Sequence, residues 1–112
     1  VKRDTTFLKH ILDAILKIEE YASVGKEKFF ATSSWQDAIM RKLEIIGEAS
    51  KRISEETKLK YPDVPWKKMA GLRDILVHAY MSVDLNAVWE ITQQNLPDLK
   101  KQIQDILMES KD

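Results

Sequence analysis

The residues best suited to chemistry lie in one short window, Arg73-Asp74-Ile75-Leu76-Val77-His78-Ala79-Tyr80. A histidine that titrates near neutrality can move protons, and the planar fork of an arginine can hold a phosphate. If the window is helical, Asp74 and His78 are i, i+4 neighbours, so the carboxylate can hydrogen-bond the imidazole and fix its tautomer. Arg73 and Tyr80, seven apart, then share a face, whereas Arg73 and His78, five apart, diverge by roughly 140°. A straight helix therefore cannot bring Arg73 and His78 to one phosphate. A distorted helix end or a second subunit is required, and in a two-fold dimer Arg73 of one chain can approach His78 of the other. The same residues also admit a plain structural reading: Arg73 and Asp74 in surface ion pairs, His78 beside a helix C-terminus, and Tyr80 as a half-buried aromatic.

Exclusion narrows the chemistry further. The chain has 112 residues and no cysteine, so it has no disulfide framework, no thiolate zinc site and no thiol nucleophile. Its two histidines, His10 and His78, form neither an i, i+4 ligand pair nor an H-E-x-x-H motif, so no metal is expected, and His10 reads as a surface residue. Gly25, Gly47 and Gly71 are isolated and make no phosphate loop, and the serines sit in no nucleophile elbow, so no bound cofactor and no hydrolytic triad are expected. Eighteen basic residues against eighteen acidic ones withhold the marked basic excess of a protein that grips long duplexes. Locally the balance differs. Residues 51–74 carry seven basic side chains against four acidic ones, an excess suited to holding a few phosphates. No apolar run approaches the ~18 residues of a membrane span, and no secretory h-region is visible, so a cytoplasmic location is expected.

The elements that must position the window are helices. Apolar residues recur at helical spacing, which predicts an all-α single domain over 1–112, a bundle of four or five helices. The first helix opens at Asp4 or Thr5, carries Phe7, Leu8, Ile11, Leu12, Ile15 and Ile18 as its apolar stripe, and ends before Gly25. A short amphipathic turn at 27–30 leads to Ser33 or Ser34, either able to cap a long helix to about Ile53. Gly47 inside that helix costs about 1 kcal/mol relative to Ala and marks a close approach by another helix. Pro62 and Pro65 punctuate a connection, after which Trp66 and Met69 anchor a short helix closed by Gly71. Residues 72–80 then continue as a main helix with Leu72, Ile75, Leu76 and Ala79 on its apolar side. Asp84 can cap a helix over 85–95, and Pro97 starts or kinks the last one.

Taken together, these features resemble the HEPN superfamily, and within it the HepT-type toxins that accompany MNT-type nucleotidyltransferase antitoxins. Arg73, His78 and Tyr80 reproduce an R-x4-H-x-Y motif; Gly47-Glu48-Ala49 falls on the second long helix; Pro65-Trp66 precedes Gly71-Leu72-Arg73; and Asp84 with Val88-Trp89 follows the motif. Asp74 stands where relatives often carry Asn; a carboxylate there can orient His78 but also repels a phosphate. The resemblance implies a homodimeric, metal-independent endoribonuclease with Arg73 and His78 as catalytic residues, Asp74 in support, and an RNA product ending in a 2′,3′-cyclic phosphate. It further implies a toxin silenced by a partner nucleotidyltransferase that adenylylates Tyr80. The alternative is a non-catalytic HEPN module that docks a nucleotidyltransferase or a nucleotide through the same cleft.

Overall fold

The computed structural model describes residues 2–109, and among them every regular element is helical. After a 3₁₀ turn at Lys2–Asp4 come α1 (Thr5–Ala22), α2 (Lys26–Ala31), α3 (Ser33–Arg52), α4 (Glu55–Lys60), α5 (Trp66–His78), α6 (Leu85–Glu90) and α7 (Leu96–Glu109). Four long segments make the bundle: α1, α3, α5, and α6 joined to α7. The core fills the space between them with Leu8, Ile11, Ile15, Phe29, Ile39 and Ile103, all fully buried. α3 is the central helix and packs against both α1 and α5.

Asp4 begins the bundle in an unexpected way. It stands before α1 but does not bond to that helix. Its buried carboxylate instead accepts from the Ser54 amide at 3.0 Å, from the Ser54 hydroxyl at 2.7 Å and from the Thr57 hydroxyl. Ser54 in turn caps α4 by accepting from the Thr57 amide. Burial pushes the Asp4 carboxyl up, but the hydrogen bonds from Thr57 and Ser54 outweigh it and leave it below its ordinary value. A depressed carboxyl contributes stability that is complete above its unfolded value near 3.9 and is lost as pH falls through the lower folded value. Asp4→Ala is expected to cost about 2–3 kcal/mol in chemical denaturation, and Asp4→Asn to flatten the acid limb of the stability profile.

Several boundaries differ from the sequence expectation for physical reasons. Neither Ser33 nor Ser34 caps α3; Thr32 precedes it in extended conformation, and the Gln36 side-chain amide donates to the Phe29 and Phe30 carbonyls. The connection after α3 contains α4. Gly71 does not close a helix: α5 runs through it unbroken, and the residue is exposed with open space where a Cβ would point. α5 then ends at His78 rather than Tyr80, because Ala79 leaves the helical region (φ −129°, ψ 34°) and Tyr80–Ser82 form a 3₁₀ turn. Ile75 and Ala79, expected on the apolar side, are exposed. Before Pro97 the chain widens into a π-helical turn, Ile91–Asn95. Proline has no N–H and crowds the carbonyl four residues back, which a wider turn relieves.

Candidate active site

The motif helix is fixed by backbone contact. A Cβ built on Gly47 of α3 would lie 2.2 Å from Arg73 Cβ and 2.6 Å from the Met69 carbonyl oxygen. The close approach expected at Gly47 is therefore made by α5, at Arg73 itself. One turn further along α3, the buried Ser50 hydroxyl donates to the Ile46 carbonyl and touches Met69 Sδ at 3.6 Å.

Around this contact runs a chain of alternating charge. Arg73 Nε lies 3.2 Å from Glu48 Oε2, and Arg73 Nη1 donates to Asp74 Oδ1 at 3.2 Å. Lys51 Nζ donates to the same Asp74 oxygen at 2.6 Å, and Arg52 Nε lies 3.7 Å from Glu48. The hydrogen bond from Lys51, followed by that from Arg73, holds the Asp74 carboxyl below its usual range. Two carboxylates thus orient one guanidinium whose side chain keeps 28% of its surface exposed. A preset arginine loses less entropy on gripping a phosphate.

His78 stands apart from this network. It is the exposed last residue of α5, and among the described residues its imidazole has no hydrogen-bond or ion-pair partner. The hydrogen bond expected between Asp74 and His78 is not formed; Asp74 turns toward Lys51 and Arg73. Because α5 is regular from Trp66 to His78, the roughly 140° divergence of Arg73 and His78 holds. Arg73 flanks α3, while His78 projects away from the core.

Tyr80 does not share a helical face with Arg73, since the helix ends before it. The 3₁₀ turn instead carries its hydroxyl to Asp37 near the start of α3, where it donates to Oδ1. That hydrogen bond, then partial burial and the charges of Asp37 and Glu44, raise the phenol above its ordinary value. Glu44, whose charge reaches Tyr80, also lines, together with Arg73, an open cleft of about 370 Å³. Sequence reasoning missed Glu48, Lys51 and Asp37 as neighbours of the motif. A signal for the first two existed: if Gly47 marks the contact, Glu48 and Lys51 border it on the same helix.

Comparison with known proteins identifies the family. The family model described as "Ribonuclease HepT-like" matches residues 11–106. A Methanocaldococcus jannaschii protein named "Gamma-glutamylcyclotransferase and putative RNase" is 45% identical over 104 residues, which are 92% of this chain and 47% of that protein, so the chain spans about half its length. A "Probable ribonuclease HepT" from Thermococcus cleftensis is 42% identical over 84% of this chain and 86% of its own. A "Putative RNase" from Caldanaerobacter subterraneus subsp. tengcongensis is 38% identical over 99% of this chain and its whole length. No solved structure matches. The match across nearly the whole bundle, together with the Arg73, His78 and Tyr80 set on and beyond α5, places the chain in the HepT-like ribonuclease family of the HEPN superfamily.

Proposed function

We propose that the chain is a metal-independent endoribonuclease that acts as a homodimer and serves as the toxin of a toxin–antitoxin pair. The observation that carries this reading is the split of the motif on a regular α5: Arg73 is clamped against α3 by Glu48 and Asp74, and His78 points outward without a partner among the described residues. Neither half completes a site alone. A two-fold partner seated against the Val77 edge of α5, between its Arg73 and His78 sides, puts Arg73 of one protomer and His78 of the other on opposite walls of one cleft. That edge suits a second copy: Val77 is 41% exposed on it, and just beyond the helix Met81 is 94% exposed.

In such a cleft one imidazole takes the proton of the RNA 2′-hydroxyl, whose oxygen attacks the adjacent phosphorus. The P–O5′ bond breaks, the departing oxygen receives a proton, and a 2′,3′-cyclic phosphate and a 5′-hydroxyl result. Arg73 neutralises the charge that builds on the phosphorane. Silencing acts at Tyr80: its oxygen attacks the α-phosphorus of ATP on a partner nucleotidyltransferase, pyrophosphate leaves, and Asp37 is placed to receive the phenolic proton. AMP there adds bulk and negative charge beside the Arg73 cleft.

The test is incubation of the dimer with single-stranded RNA in EDTA, before and after treatment with an MNT-type nucleotidyltransferase and ATP. Expected are cyclic-phosphate ends before treatment, and after it AMP on Tyr80 by mass spectrometry with cleavage lost. The pairing of Arg73 with two carboxylates favours one competing reading, a docking module without turnover; intact RNA and a stable nucleotidyltransferase complex are its signature.

A further inference from the structure

We propose that the cleft between α1, α3 and α5 is a single-stranded RNA subsite that holds the nucleotide next to the scissile phosphate. The proposal rests on the ribonuclease reading of Arg73 and adds residues to it. Arg73 does not face empty solvent. It opens into a cleft of about 370 Å³, within the roughly 300–1,000 Å³ range of small-ligand sites, whose other walls carry Arg41, Arg52, His10 and Phe7. Three guanidinium groups meet two carboxylates, Glu44 and Glu48, so the cleft is net positive with His10 neutral.

The two added arginines are poised for displacement by a phosphate. Arg41 lies 3.8 Å from Glu44 and Arg52 lies 3.7 Å from Glu48, both long contacts, and their side chains are 70% and 62% exposed. The aromatic wall is built as well. Phe7 and His10 meet edge to face with centroids 6.2 Å apart, and the Arg52 guanidinium lies over the Phe7 ring at 5.9 Å. Cations along a groove beside an aromatic platform are what sequence-tolerant recognition of a single strand needs, because every base has a π-face and every linkage a charge. The footprint is short. The cleft meets a second hollow at His10 and Ile45, where Lys17 and Lys42 are balanced by Asp13 and Glu20, so the positive excess ends there. Arg41 and Arg52 thus bind the flanking phosphates, and one base stacks on the Phe7 face that the Arg52 guanidinium vacates.

Fluorescence anisotropy with an uncleavable 2′-O-methyl single strand separates binding from turnover. Arg41→Gln and Arg52→Gln are each expected to weaken binding several-fold and to reduce the log–log salt slope by about 0.7, one phosphate contact each. Phe7→Leu is expected to weaken binding about tenfold with the slope unchanged. Arg3→Gln, in the exposed pair with Glu56, serves as the control and binds as wild type. Wild-type affinity and slope in both arginine variants, or no binding by the wild type, would overturn the proposal; these surface substitutions keep the test valid if Phe7→Leu fails to fold. Normal cleavage with unaltered variant binding removes the subsite and leaves the ribonuclease reading intact. Binding lost in the variants of a protein that cleaves no RNA does the reverse.

Discussion

Alanine at His78 is expected to lower single-turnover RNA cleavage by about 10²–10⁴-fold while leaving the thermal midpoint almost unchanged. The first effect follows from losing the one side chain in the motif able to exchange a proton near neutral pH. The second follows from its position, exposed at the end of α5 with no partner among the described residues. Arg73→Ala is expected to cost about 10²–10³-fold, the usual loss for one group that stabilises transition-state charge. Arg73→Lys restores the charge but not the fork seated between Glu48 and Asp74, so it recovers only part of the rate. A stable fold with normal cleavage in either alanine variant would contradict the role given to the residue it replaces.

The second large effect is on stability and comes from the smallest possible addition. By helix propensity alone, Gly47→Ala should stabilise α3 by about 1 kcal/mol. The packing predicts the opposite sign. The new methyl would sit 2.2 Å from Arg73 Cβ, 2.6 Å from the Met69 carbonyl oxygen and 3.2 Å from Arg73 Cα, and none of these can rotate away. α5 must move bodily, with a net loss of about 1–3 kcal/mol and a thermal midpoint lower by roughly 5–15 °C. Because the displaced residue is Arg73, cleavage should fall by about tenfold or more even below the melting range. A raised midpoint would show that the helices are not in contact there.

Gly47 illustrates how much of the site was legible in the sequence. A glycine inside a long amphipathic helix has a cost, and that cost announced a helix crossing before any partner was known. The apolar periodicity of α1, α3 and α7 fixed their inward faces for the same reason: each buries one continuous stripe. What stayed illegible depends on long-range partners or on the end of a helix. Asp4 has the type and place of a local cap, yet its carboxylate bonds to Ser54 and Thr57 across about fifty residues. Asp74 has a histidine four residues on, yet Lys51 of another helix offers a cation, which wins over a neutral or exposed imidazole. The seven-residue spacing of Arg73 and Tyr80 promised one face only if the helix continued; with α5 ending at His78, Tyr80 meets Asp37 instead. Ile75 and Ala79 read as core-facing by their spacing, and only the structure shows them exposed.

The central claim, that one site takes Arg73 from one protomer and His78 from the other, has a direct measurement. Arg73→Ala and His78→Ala proteins, each nearly inactive, are mixed in equal amounts under conditions that exchange subunits, and RNA cleavage is followed. Random exchange makes half the dimers mixed, and each mixed dimer regains one intact site of two, so the account predicts recovery to about a quarter of the wild-type rate. A mixture that exchanges subunits yet stays as inactive as its components would contradict it.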